Sequence, residues 1–392
     1  MKKYTSQREM YFTIRKIKKR FFIGGIMSVN NKLVLAWLSS EKGIGNRTIA
    51  KLIEYFGAAE EIWHNLNEER GNLAYINDFT IDRLISKKNG FEEKLLSRLN
   101  KENVKVITML DDDYPKKLKN IINPPCILYC KGDISCLNNL SIGIVGSRKA
   151  TDYGKFCADK FARELSALGI TIISGLANGI DTIAHKSAIK ANGNTIGVIG
   201  CGINIIYPQK NRELYMEIEN TGGAVITEYP FDMEPISSNF PNRNRIISGL
   251  SSGILVVEAQ EKSGTLITVS HAAEQGKEVF SIPGNINSIF SVGTNKLIKD
   301  GAKLVSNVDD IIEELPEFNN LRDKLIKKEI NFHSLNKIEQ DIITLISEGE
   351  KNFDEIASKI NYPINEILCS LTILEMKSMV VQTSGKKFVL AN

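Results

Sequence analysis

Between residues 104 and 310 the chain alternates short β-branched apolar runs with stretches carrying apolar residues at helical spacing. The strand candidates are 104–109, 127–129, 141–145, 171–174, 195–199, 224–227, 253–257 and 278–282. Several are apolar almost throughout, as strands covered on both faces must be. Helices fit between them at about 154–168, 180–191, 210–219 and 265–276. The alternation predicts a Rossmann-like three-layer α/β core with a mostly parallel sheet over residues 104–312.

The flanks read differently. In residues 29–103, Ile49, Leu52, Ile53 and Phe56 recur at helical spacing, as do Ile81, Leu84, Leu95 and Leu99. Gly43-Ile44-Gly45 makes a turn into the second helix and resembles a helix-hairpin-helix, so a helix-hairpin-helix or SAM-like domain is expected. The nearby acids Glu60 and Glu61 weaken a nucleic-acid role, and plain helical packing accounts for the pattern equally well. Residues 313–334 are mixed and charged and read as a linker. Residues 335–392 hold three helical segments and a hairpin turning at Ser384-Gly385-Lys386, the pattern of a winged-helix domain.

Composition excludes several classes. With 392 residues, 42% hydrophobic and 24% charged, the chain can bury large cores and is neither fibrous nor wholly disordered. Its six cysteines are too scattered for a disulfide scaffold. No apolar stretch is long enough to span a bilayer, so no membrane insertion and a cytoplasmic location are expected. The net charge of +4 hides an asymmetry. The first 26 residues carry eight basic side chains and one acid, which leaves the remaining 366 at −3. Residues 1–28 read as a disordered basic extension or as sequence upstream of a start at Met27; an arm touching nucleic acid is the alternative. Any nucleic-acid site on the body must be a local patch.

In an open α/β sheet, ligands bind beyond the carboxyl ends of the strands. Five segments fall there. Gly146-Ser147-Arg148 combines a close-approach glycine, a hydroxyl and a guanidinium suited to phosphate. Residues 174–181, which contain Gly175 and Asp181, have the Gly-rich strand-to-helix form of an anion cradle, with His185 one turn further on. Gly200-Cys201-Gly202 is an incomplete dinucleotide fingerprint. Phe240-Pro241-Asn242-Arg243-Asn244-Arg245 reads as a loop in which Arg243 and Arg245 are the leading phosphate-binding candidates. Glu258-Ala259, followed by Lys262-Ser263-Gly264-Thr265, completes the rim.

Nothing compels catalysis. There is no GxxxxGK[ST], and Cys126, Cys130 and Cys136 lack zinc-ligand spacing, so no cofactor or metal is expected. Cys201 at an apolar strand end reads as a buried thiol, and His185 as a structural histidine. Asp181 and Glu258 can be paired carboxylates, or can equally orient an arginine or cap a loop.

The loop series GSRKATDYG (146–154), SGLANGIDTIAH (174–185), GCGINIIYP (200–208), ITEYP (226–230), FPNRNRIISGL (240–250), SGTLIT (263–268) and GTNKLIKDGA (293–302) closely resembles the DprA/Smf family of DNA-processing proteins. The resemblance is strong over roughly residues 31–310. It implies a non-enzymatic protein that binds single-stranded DNA cooperatively, forms a homodimer through the α/β core and loads the RecA recombinase during natural transformation. It also implies DNA-pocket roles for Arg148, Arg243 and Arg245, with Gly146, Ser147, Gly175, Asn244 and Lys262 as neighbours. Phe240, Tyr207 and Tyr229 are candidate stacking partners. Two rival readings remain: a nucleotide phosphoribohydrolase, whose PGGxGTxxE motif is absent here, and a duplex-binding regulator acting through the winged helix.

Overall fold

Runs of two to six residues, apolar in the middle of the sheet and more polar at its β9 edge, become the strands of one nine-stranded sheet. The computed structural model describes residues 30–319, 321, 335–347, 349–376, 379–383 and 387–390. The extension 1–28, most of the linker expected at 313–334 and the turn at Ser384-Gly385-Lys386 lie outside the described residues.

In chain order the strands are β1 (Lys105–Thr108), β2 (Ile127–Gly132), β3 (Ser141–Val145), β4 (Thr171–Ser174), β5 (Thr195–Val198), β6 (Ala224–Thr227), β7 (Gly253–Val256), β8 (Glu278–Ser281) and β9 (Lys303–Leu304). Their spatial order is β1-β2-β6-β5-β4-β3-β7-β8-β9. From β6 to β9 every pairing is parallel, whereas β2 runs antiparallel to both β1 and β6. All residues of β3 through β7 are buried, which is why these runs are apolar rather than alternating. The α/β class and the mostly parallel sheet therefore agree with the sequence pattern.

Among the described residues five α-helices precede the sheet: α1 (Asn31–Ser39), α2 (Asn46–Phe56), α3 (Ala59–Asn65), α4 (Asp78–Lys88) and α5 (Phe91–Lys101). Asn30 caps α1 through its side chain, and Gly57, at φ +78°, ends α2 in the left-handed region. Trp37 is fully buried and donates its indole N–H to the Leu84 carbonyl at 2.9 Å. It shares one contiguous core with Tyr129 and Ile226 of the sheet. Helical region and α/β region thus form a single unit ending at Asn319.

The connections in the sheet are α6 (Asp152–Ala167), α7 (Ile180–Lys190), α8 (Arg212–Asn220), α9 (Asn239–Leu250), α10 (Thr265–Glu274) and α11 (Val292–Lys299), and α12 (Asp309–Glu314) follows β9. Strand order advances one way from β3 to β6 and the other way from β7 to β9. Right-handed crossovers then place α6–α8 and α10 on opposite faces. Helices α9 and α11 and strand β9 were not legible as such in the sequence. In α9 the third residue is Pro241; a proline in a first turn loses no helical hydrogen bond, so it starts the helix rather than marking a loop. Residues 313–318 also depart from the expected linker: Leu315 and Phe318 are buried, and Lys117 lies 3.5 Å from Glu317.

The second unit begins at Asn320. It contains α13 (Lys337–Ser347), β10 (Lys351–Asn352), α14 (Phe353–Lys359), α15 (Ile364–Met376), β11 (Val380–Gln382) and β12 (Lys387–Leu390). The three strands pair antiparallel in the order β10-β12-β11 over a core of Ile342, Ile346, Ile356, Leu371 and Phe388. Asn352 and Glu355 cap α14 reciprocally.

Candidate nucleic-acid interface

The strand order reverses between β3 and β7, so the loops leaving these strands flank the crevice of the sheet. Around it lie the loops after β4, β5 and β6. This is where the sequence placed its candidates.

The loop after β3 is pressed onto the start of α7. The Ile180 amide donates to the Ser147 carbonyl at 3.2 Å. Gly179, at φ +79°, makes this approach possible: a Cβ there would fall 2.3 Å from the Ser147 carbonyl oxygen and 2.7 Å from that of Arg148. Ser147 Oγ accepts from the Lys149 amide at 3.1 Å, which folds the chain back on itself. Arg148 and Lys149 emerge from this fixed loop exposed. Lys149 is a cation that sequence reasoning passed over; its signal was adjacency to Arg148.

Beneath the rim the two arginines of the FPNRNR segment have a different place from the one expected. They lie on α9, not on a loop, and are only 5% and 6% exposed. Arg243 donates from Nη1 to the carbonyls of Gly175, at 2.8 Å, and Val198. Asp181 accepts from the Gly175 amide at 3.1 Å and the Ala177 amide at 3.4 Å. A Cβ on Gly175 would meet Arg243 Nη2 at 2.7 Å and Asp181 Oδ2 at 2.8 Å, so both charges close over this one glycine. Burial pushes the Asp181 carboxyl up and the Arg243 guanidinium down; each opposes the shift of the other.

Arg245 is equally committed. Its guanidinium makes a forked pair with Glu228, 2.6 Å on each arm, and donates from Nε to the Asn123 carbonyl at 2.9 Å. Glu228 also accepts from Asn46 Nδ2 at 2.7 Å, while Asn46 Oδ1 accepts from the Cys126 amide at 2.9 Å. Residue 46 opens α2 directly after the Gly-Ile-Gly turn, and that turn serves to dock the helical region on the sheet. Asn244, between the arginines, accepts from Arg243 Nε at 3.2 Å.

Two aromatic rings stand at the ends of β5 and β6. Tyr207 is 47% exposed and tilts 35° against half-buried Phe240, with ring centroids 5.5 Å apart. Tyr229 donates its hydroxyl to the Asn239 carbonyl at 3.3 Å. Beyond β7, Lys262 is exposed ahead of Gly264, which caps α10 without a side-chain bond. Exposed Lys210 lies just past Tyr207 and had no motif to mark it.

The site has little capacity for acid–base or nucleophilic chemistry. His185 is fully buried, with Nδ1 2.6 Å from Thr195 Oγ1, and burial together with Arg243 holds it down to about 3. Burial pushes the Cys201 thiol up to about 11, away from the nucleophilic thiolate. Asp181 and Glu258 are not a catalytic pair: Asp181 belongs to the Gly175 loop, and Glu258 accepts from Thr151. Among the described residues no group of three His, Cys, Asp or Glu side chains could hold a metal.

The family model described as DNA recombination-mediator protein A matches residues 105–316. The DNA processing protein DprA of Bacillus subtilis is 43% identical over 227 residues, spanning 58% of this chain and 76% of that protein. Protein Smf of Escherichia coli is 36% identical over 298 residues, 75% of this chain and 79% of the relative. The X-ray structure of DprA from Streptococcus pneumoniae superposes with a TM-score of 0.63 at 33% identity, covering 74% of this chain and 99% of that one. A structure of DNA processing protein A from Helicobacter pylori, described for its single-stranded DNA binding mode, gives a TM-score of 0.50 at 32% identity, with 56% of this chain and 96% of that one covered.

Proposed function

Because the chain belongs to the DNA recombination-mediator protein A family, we propose that it binds single-stranded DNA across the carboxyl rim of its sheet and passes that strand to the RecA recombinase during natural transformation. One observation carries the reading: Arg148 and Lys149 stand exposed on a loop whose backbone Gly179 and Ile180 lock against a helix start. Two cations on a fixed backbone can neutralise successive phosphates without reading sequence. Lys262 and Lys210 extend the positive rim, and Tyr207 on Phe240 offers a stacking face for a base. Gly146, Ser147, Gly175 and Asn244 shape the floor, while Arg243 and Arg245 act by bracing it from below.

In this reading the protein is a cytoplasmic binding protein, not an enzyme, and a homodimer through its α/β core. Residues 30–101 form a helix-hairpin-helix or SAM-like region, and the second unit is a winged helix. Helix α15, which would face a duplex in such a domain, carries Glu366 and Glu375 and no lysine or arginine, which disfavours duplex recognition.

The test is an electrophoretic shift of the full chain with oligonucleotides of about 50 nucleotides, single-stranded and duplex, across a salt series. Cooperative, salt-sensitive preference for the single strand is expected. Equal affinity for both forms would sink the reading.

A further inference from the structure

On the other side of the switch point lies a cavity of about 410 Å³, within the range of small-ligand sites. It is lined by Thr151 and Tyr153 after β3, Glu258 after β7, and Asn285, Ser288 and Ser291 after β8. The phosphate-facing candidates Arg148, Lys149 and Lys262 take no part in it.

Glu258 dominates its chemistry. The side chain is 3% exposed, and no lysine, arginine or histidine among the described residues forms an ion pair with it. It accepts from the Thr151 amide at 3.1 Å and from Thr151 Oγ1. A carboxylate has about four acceptor directions, so roughly two remain. Gly154 permits the close seat: a Cβ there would fall 2.3 Å from the Glu258 carboxyl carbon. With an acid and no basic side chain in its lining, the cavity offers a phosphate no attractive partner, unlike the neighbouring rim.

The rest of the lining both donates and accepts. Asn285 Oδ1 is occupied by the Asn287 amide at 2.9 Å, which leaves its NH₂ to donate. Ser288 Oγ accepts from the Phe290 amide at 3.3 Å and keeps its hydroxyl hydrogen free. Tyr153 is held at the mouth by a 2.8 Å bond to the Pro283 carbonyl and is 48% exposed, so its ring can cover a ligand. A guanidinium or ammonium could use the carboxylate but only the acceptors of the remaining groups. A pair of vicinal hydroxyls uses both, donating to Glu258 and accepting from Asn285 and Ser288.

We infer that this cavity is a separate site for the cis-diol of a ribonucleoside, held by the Glu258 carboxylate with Asn285 and Ser288 as return donors. The inference is independent of the DNA reading above.

The experiment is calorimetric titration of the full chain with adenosine and uridine, with their 2′,3′-dideoxy counterparts and with agmatine as a cationic control. A ribonucleoside should bind at least about tenfold more tightly than its dideoxy form, the loss expected when buried polar groups are left unpaired. Glu258→Gln should erase that preference. Since Glu258 also anchors Thr151, Asn285→Ala on the exposed lip is the second variant, with binding weakened about tenfold and the unfolding midpoint unchanged. Absence of binding by both ribonucleosides, equal affinity for diol and dideoxy forms, or a preference for agmatine would each overturn the assignment.

Discussion

Arg243 Nη1 lies 2.8 Å from the Gly175 carbonyl oxygen, tying together two segments 68 residues apart in the chain. An arginine that looks made for phosphate spends its donors on the Gly175 and Val198 carbonyls and on the Asn244 side chain. Arg148, in contrast, projects from the surface. The two arginines should therefore fail differently. Arg148→Ala should lower affinity for two unrelated oligonucleotides alike and flatten the salt dependence by about 0.7 in log–log slope, with stability changed by less than about 0.5 kcal/mol. Arg243→Ala should cost about 3 kcal/mol of stability before any binding is measured. Denaturant titration beside filter binding separates them; a stable Arg243→Ala that has lost only DNA binding would contradict the bracing role.

The Arg243→Ala deficit should also depend on pH. Burial raises the folded Asp181 pKa above its unfolded value, and Arg243 works against that rise. A raised carboxyl stabilises the fold when protonated and penalises it as pH climbs through the folded value. Without Arg243 the penalty grows, so the variant should close part of its gap to the parent as pH falls from 7 towards 4. Urea midpoints for both proteins at several pH values check this; a constant gap would remove Asp181 from the account.

Arg245 and Glu228 are 7% and 9% exposed at the side chain, and removing one leaves the other buried and uncompensated. Arg245→Ala should destabilise by about 3–5 kcal/mol, while a double replacement with apolar residues of similar volume should recover most of it. Because Asn46 shares Glu228, the single variant should also loosen the helical region. Hydrogen exchange across residues 30–101 would register that; unchanged protection there would mean the docking rests on apolar packing alone.

Gly179→Ala places a methyl group on a left-handed backbone and against two carbonyl oxygens. The expected result is a loss of stability of about 1–3 kcal/mol, read as a lower unfolding midpoint, and weaker single-stranded DNA binding through a displaced Arg148 loop. A variant that kept full affinity would separate the loop geometry from the binding activity.

His185 supplies an acid limit. Its folded pKa is held down to about 3 against an ordinary 6.5, so below pH 6.5 the unfolded chain binds a proton that the fold refuses. Stability present above pH 6.5 is lost on acidification towards 3, by roughly 2–3 kcal/mol at pH 4.5. His185→Asn should flatten the stability profile between pH 6.5 and 4.5. An unchanged slope would place the acid sensitivity in other groups.

Much of the fold was legible because burial on both faces leaves a clear pattern. Strands such as 141–145 and 224–227 emerge with the bounds read from their apolar runs. Helix α9 escaped because Asn, Pro and Arg at its start mimic a loop, and the residues that bury those arginines, Gly175, Val198 and Glu228, lie on other strands' ends. For the site, the glycines and Arg148 were visible as strand-end motifs, whereas exposed Lys149 and Lys210 carried no spacing signal.

The sequence by itself determined the α/β class, the parallel sheet and the strand ends where a ligand would sit, since these follow from local periodicity and turn chemistry. Tertiary structure alone decided which charges face solvent. Whether a guanidinium meets phosphate or a buried carbonyl depends on groups brought together from distant segments, and no local pattern encodes that distance. The same holds for Glu258, an ordinary acid at a strand end until α6, β7 and the segment after β8 enclose it without a cation.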